Sequence, residues 1–176
     1  MILKRLLPFF FILVCTQSAA EIPAYYQRIS ALKEVPAPLI YAIAMQESRP
    51  PHGLIAGVNK PWPWTLNCEG RGYFFPSREA AFNVATQFIN SGESCDVGLM
   101  QVSWKYHKNR FSSLNNALDP YTNIEAGADY LKEQYEKSGS WEIAVGKYHN
   151  PSDPVKADFY RERVRNHLVQ ILGVSF

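Results

Sequence analysis

Glu47 is the residue of this sequence whose surroundings best suit acid–base chemistry. It ends a helical stretch that opens at Pro38, a residue favoured in the first turn, and runs Leu39-Ile40-Tyr41-Ala42-Ile43-Ala44-Met45-Gln46. At about 100° per residue, Glu47 falls roughly 20° from Ile40 and roughly 40° from Ile43 around the axis. A carboxylate therefore shares the apolar stripe. Pro50-Pro51 stop the helix, so Glu47 also lies at its C-terminal end, where the macrodipole disfavours negative charge. Burial and dipole both raise a carboxyl pKa, and a general acid at neutral pH needs that rise. The alternative is a glutamate turned out to solvent at a fraying helix end.

Three further groups are candidates. Ser48 places a hydroxyl beside the acid, able to hold one carboxyl oxygen; the bland reading is a helix-end serine with no role. In Gly98-Leu99-Met100-Gln101, glycine lets backbone approach a ligand closely. Methionine offers a polarisable surface to a sugar ring. Glutamine offers donor and acceptor to hydroxyl or acetamido groups. A core Leu and Met beside a turn Gly would read the same. Tyr148-His149-Asn150 sits where a helix ends before Pro151. There a phenol can donate to a developing charge or to the acid, and Asn150 can bind substrate. A packed tyrosine and a C-capping asparagine are the alternative.

Other chemistries lack their signatures. The sequence has no serine nucleophile elbow, His-Glu-x-x-His, phosphate loop or dinucleotide fingerprint. Two-carboxylate glycosidases need a partner for the acid. Glu69, Glu79, Glu93 and Asp96 are available, but nothing in the sequence assigns one of them.

The elements that must position these groups are mostly helical. One helix is expected over about 23–33 and a second from Pro38 to Ser48. An irregular stretch follows to Ser77. Within it, Trp62–Leu66 and Arg71–Phe75 flank the turn-like Asn67-Cys68-Glu69-Gly70 and read as a small β-hairpin. Ser77 is a good N-cap for a helix ending at Asn90-Ser91-Gly92. A short helix is expected over 98–106. Asp119-Pro120 opens another to about Lys137, Ser140 caps one ending near Lys147, and Asp153-Pro154 opens the last, to about Leu172.

Lys4-Arg5, a short apolar run and Ser18-Ala19-Ala20 form the pattern of a secretory signal peptide cleaved after Ala20. The run is too short for a stable membrane span. Cys15 would suit lipoprotein attachment, but bulky Val14 precedes it. Residues 1–20 are thus read as a signal and 21–176 as a single domain, the size of one core. Losing Lys4 and Arg5 takes Lys+Arg from 18 to 16, against 16 Asp+Glu, so the mature chain is formally neutral. Nothing in that balance argues for nucleic acid or a membrane surface. Cys68 and Cys95 remain, and an even count in an exported chain suggests a disulfide. It would close a loop of about 28 residues, worth on the order of 3 kcal/mol. Two free thiols are the rival reading, as are zinc ligands joined by His52, His107 or His149, although no pair has metal-site spacing.

In order, Glu47-Ser48, Gly98-Leu99-Met100-Gln101 and Tyr148…Asn150 resemble the motifs of the lytic transglycosylases with an SLT domain. The resemblance runs from about Pro36 to Asn150. It implies a mainly α, lysozyme-like fold carrying a small β-hairpin insertion. There are departures. The family's usual Gly after Glu-Ser is replaced by Arg49-Pro50-Pro51, and His149 splits the usual Tyr-Asn. With Trp62–Asn67, these look like a subgroup carried by conjugative or integrating elements. A conjugation or secretion apparatus is then the implied partner, and the periplasm the implied location.

The resemblance also implies a one-carboxylate reaction without cofactor or metal. Glu47 would protonate the glycosidic oxygen between N-acetylmuramic acid and N-acetylglucosamine in peptidoglycan strands. The substrate's acetamido group would meet the charge at C1. Glu47 would then take the proton of the muramyl C6 hydroxyl as a 1,6-anhydro ring closes. Ser48 would orient Glu47, and Tyr148 would hold its ionised form. Met100 and Gln101 would contact sugars, while Trp62, Trp64 and Tyr73 would line the groove. Two other readings stay open: a water-using muramidase on the same fold, and a non-catalytic wall-binding scaffold.

Overall fold

The computed structural model describes residues 21–174. The export signal expected at residues 1–20 lies outside the described residues. Eight α-helices and one small antiparallel sheet make up the described part.

Helix α2 (Ala37–Ser48) is the centre of the core. Leu39 through Ala44 are consecutively buried, and the helix packs against α1 (Ala24–Lys33), α6 (Pro120–Ser138) and α8 (Pro154–Leu172). A helix apolar on every side belongs inside the molecule. This changes the reason for Glu47's environment. The sequence indicated an apolar stripe shared by Glu47, whereas Glu47 stands near the end of a helix buried almost all round.

Each later helix of nine or more residues starts on a capping side chain. Ser77 accepts from the Ala80 N–H to start α3 (Arg78–Asn90). Asp119 accepts from Tyr121 and Thr122 at the start of α6, and Asp153 from Val155 and Lys156 at the start of α8. In both of the latter a proline occupies the first turn, where its missing N–H costs no hydrogen bond. Ser140 caps α7 (Trp141–His149), which runs two residues beyond the expected end at Lys147.

The hairpin is present, with a tighter turn than expected. Strand β1 (Thr65–Cys68) pairs with β2 (Arg71–Phe74), so only Glu69-Gly70 form the bend. The hairpin is not an isolated insertion. β1 also pairs with β3 (Cys95–Val97), and β3 with β4 (Val102–Ser103), giving the order β2-β1-β3-β4. Strands of two or three residues leave almost no period to read, so β3 and β4 were missed.

The helix expected over 98–106 is corrected for a related reason. Gly98 has φ +78° and Gln101 φ 44°, both outside the right-handed helical region. Residues 98–101 are instead the turn joining β3 to β4, and helix is confined to α4 (Trp104–His107). The one-turn helix α5 (Leu114–Ala117), capped by Ser113, was likewise not anticipated.

Cys68 and Cys95 are disulfide-bonded. They face each other directly in the β1–β3 register, so the bond ties the hairpin to the strand that leads into the 98–101 turn. Converting both to serine is expected to cost about 2–4 kcal/mol, as loops of this size do. Urea unfolding of the parent with and without reductant should show the same loss, and the double variant should be insensitive to reductant.

Candidate active site

A cleft of about 650 Å³ opens beside the end of α2. Glu47 lines it, with Asn67, Asp96 and Ser103 from the sheet, Gln101 from the turn, His107 from α4, Tyr130 from α6, and Tyr148, His149 and Asn150 from α7 and its cap. Glu47 thus shares one cleft with Gln101, Tyr148 and Asn150.

Glu47's carboxyl pKa is pushed up to about 7. Burial is the main cause; a hydrogen bond from Tyr160 opposes it, and the negative charge of Asp96 adds to it. The group is therefore partly protonated near neutrality, as a general acid must be. It is also held in place. The Tyr160 phenol of α8 donates to Glu47 Oε1 at 2.5 Å. His149 stacks on Tyr160, the two rings within 2° of parallel at a centroid distance of 4.6 Å.

Tyr160 is a correction. The resemblance gave the role of holding the carboxylate to Tyr148, whose hydroxyl instead donates to the Met100 carbonyl at 2.8 Å. Tyr160 lies ten residues beyond the last motif residue, Asn150. A signal for it existed: Tyr160, Val164, His167 and Ile171 repeat at 4, 3 and 4 and form the buried stripe of α8. An aromatic with a polar tip on such a stripe needs a buried partner.

Ser48 is a second correction. It is fully buried, and its hydroxyl lies 2.8 Å from the Leu99 carbonyl and 3.0 Å from that of Ala44. No hydrogen bond joins it to Glu47. It fastens the end of α2 to the 98–101 turn.

The turn itself is held from three sides. Ser48 reaches Leu99 from α2, and Tyr148 reaches Met100 from α7. From α6, buried Asn123 accepts from the Met100 N–H at 2.8 Å and donates to the carbonyls of Val97 and Ala117, each at 2.9 Å. Asn123 was not singled out in the sequence, because a lone Asn in a helix carries no signature.

These contacts reassign the tetrapeptide. Leu99 and Met100 are buried in the core and do not line the cleft. Met100 lies against Gly127 of α6, where a Cβ would approach its side chain to 2.7 Å. Gly98 is required because a Cβ would meet Asn123 Nδ2 at 2.4 Å, and because its φ is positive. Its close approach is to Asn123, not to a ligand. Gln101 does reach the cleft, with Nε2 donating to the carbonyls of Gly98 (2.8 Å) and Thr65 (3.1 Å).

Asn150 lines the cleft while its Oδ1 accepts from Ser152 and Asp153, shaping the turn into α8. The aromatic hairpin does not line the cleft. Trp62 and Trp64 meet edge to face, Trp62 donates to the Phe75 carbonyl, and Tyr73 packs on Phe75 and Phe88. Of β1 and β2, Asn67 faces the cleft. Among the described residues there is no cluster of three metal-ligating side chains, and no helix is long and apolar enough to cross a membrane.

Residues 24–167 match a family model described as the transglycosylase SLT domain. Searches of curated proteins and of solved structures returned no match.

Two outcomes follow from Glu47's environment. Tyr160→Phe removes the bond that lowers its pKa, so the alkaline limb of the pH–rate profile should move upward from about 7, with a lower maximal rate. A profile unchanged from the parent would rule out that coupling. For stability, a folded-state pKa raised above the unfolded value of 4.5 means that the folded chain binds the proton more tightly. This contribution is complete below about 4.5 and is lost as pH rises through about 7. Glu47→Gln should therefore be more stable than the parent at pH 8, by roughly 1–3 kcal/mol, and nearly equal to it at pH 4. Urea unfolding at the two pH values measures the difference.

Proposed function

The chain belongs to the transglycosylase SLT-domain family, whose members are lytic transglycosylases acting on peptidoglycan, and on that premise we propose a specific reaction and acid for it. The reaction is cleavage of the β-1,4 bond between N-acetylmuramic acid and N-acetylglucosamine, with formation of a 1,6-anhydromuramyl end. The observation that carries this reading is Glu47 itself: a carboxyl raised to about 7, lining a cleft, with a phenol bonded to one oxygen.

Protonated Glu47 donates to the glycosidic oxygen as the C1–O bond breaks and the N-acetylglucosamine hydroxyl departs. The substrate's acetamido oxygen bonds to C1. The same Glu47, now ionised, takes the proton of the C6 hydroxyl, whose oxygen attacks C1 and displaces the acetamido oxygen. Atoms balance with no water consumed, and Glu47 ends protonated. The Tyr160 phenol donates to the carboxylate while it is charged, when a charge-assisted hydrogen bond is strongest. Gln101 and Asn150 bind sugar from the cleft wall.

The site of action is the periplasm, reached by the signal at residues 1–20. The Cys68–Cys95 bond supports this, since disulfides persist in oxidising compartments. Local wall opening for a conjugation or secretion apparatus is the biological role. It rests on Arg49-Pro50-Pro51, the Trp62–Asn67 segment and the His149 interruption.

A second reading, hydrolysis, is favoured by one feature. Asp96 lines the same cleft as Glu47, and a second carboxylate is what water-using glycosidases employ.

Digestion of purified sacculi with the protein from Glu21 onward, followed by mass spectrometry, separates the readings. Anhydro-muropeptides are expected, and Glu47→Gln should lower their rate by about 10²–10⁴-fold. Reducing-end muropeptides would assign hydrolysis. Sacculus binding without any product would assign a scaffold.

A further inference from the structure

The sheet presents a polar row to the cleft. In the strand register Asn67 of β1 faces Asp96 of β3, and Asp96 faces Ser103 of β4. All three line the cleft, whereas their strand neighbours Leu66, Cys68, Cys95 and Val97 are buried in the core; Val102, also buried, reaches the cleft wall with its edge. Period-two alternation thus gives three adjacent strands one polar side chain each at the same level. The Cys68–Cys95 bond fixes the next register pair along, and the 98–101 turn fixes the other end. The row has little freedom to shift relative to Glu47.

Resting on the transglycosylase reading above, we propose that Asp96 is a second catalytic residue: its carboxylate accepts a hydrogen bond from the N–H of the 2-acetamido group on the sugar whose C1 reacts, with Asn67 and Ser103 flanking it. For the acetamido oxygen to reach C1, the amide must be turned and held. A carboxylate on its N–H does both, and it faces the positive charge that spreads over the amide as the oxygen–C1 bond forms. Oriented charge of this kind, already in place, is the usual source of large rate effects. No proton leaves the amide: Glu47 supplies the proton to the departing oxygen and recovers one from the C6 hydroxyl.

The charges suit the division of labour. Burial raises the Asp96 carboxyl from its ordinary value of 3.8, and the Ser103 hydroxyl opposes that rise. Its negative charge is among the causes that raise Glu47 to about 7. Two carboxyls in one cleft with separated pKa values take acid and anion roles respectively. The other titratable groups at the cleft are Tyr106, His107, Tyr130, Tyr148 and His149, and burial lowers both histidines.

The test is Asp96→Asn, nearly isosteric, assayed on sacculi with quantified anhydro-muropeptides. We expect kcat to fall about 10²-fold while KM changes less than about threefold, with thermal stability close to the parent's. Asp96→Ala should be comparably slow and should recover rate when formate is added, which a merely structural role would not produce. Anhydro product from the parent together with an Asp96→Asn rate within about twofold of it would overturn the proposal alone. Reducing-end products from the parent, abolished in Asp96→Asn, would instead make Asp96 the base for water and overturn both this proposal and the reading it rests on.

Discussion

The arrangement of the cleft depends on one fastening, the anchoring of the 98–101 turn to three helices. Ser48, Asn123 and Tyr148 reach it from α2, α6 and α7, and each satisfies a backbone group of residues 99–100 that would otherwise be buried without a partner. Leaving such groups unpaired costs about 1–3 kcal/mol each, so the three bonds are close to obligatory once the turn is inside. The turn joins β3 to β4, and its position therefore sets the sheet's distance from the acid. Helices and sheet are locked together at the point where Glu47, Asp96 and Gln101 converge.

This fastening gives the recognisable motifs a different physical meaning. Ser48 and Tyr148 were read as groups that meet the acid, and the Gly98-Leu99-Met100 segment as one that meets substrate. Most of them meet one another, directly or through Asn123. Gly98 is needed for the side chain packed against it, and Met100 is core. A family motif of this kind identifies a site because the site cannot be assembled without it. That is compatible with only Glu47, Gln101, Tyr148 and Asn150 among the predicted residues facing the cleft.

The acid illustrates the tension between stability and function. A carboxyl at the end of a buried helix is raised in pKa by desolvation, and the folded chain is correspondingly less stable at alkaline pH. Tyr160 offsets part of this cost and fixes the carboxyl's direction, and His149 stacks on Tyr160 in turn. The histidine that breaks the family's Tyr-Asn pair thus has a place in the fold. It packs on the phenol that touches the acid.

The sequence by itself determined the mainly helical plan, since caps and prolines at Ser77, Asp119-Pro120, Ser140 and Asp153-Pro154 act within one turn of chain. It also determined the hairpin, through local turn chemistry, and pointed to Glu47 as the candidate acid, through its clash with apolar neighbours. What it left to the tertiary structure were contacts between distant segments. Tyr160 lies 113 residues from Glu47, and Asn123 lies 23 from Met100. Asp96 stood out in no pattern, because three-residue strands carry too little period to show which face they turn to the cleft. Those choices are made by packing: a buried stripe on α8 turns a phenol toward the acid, and strand register turns a carboxylate toward the same space.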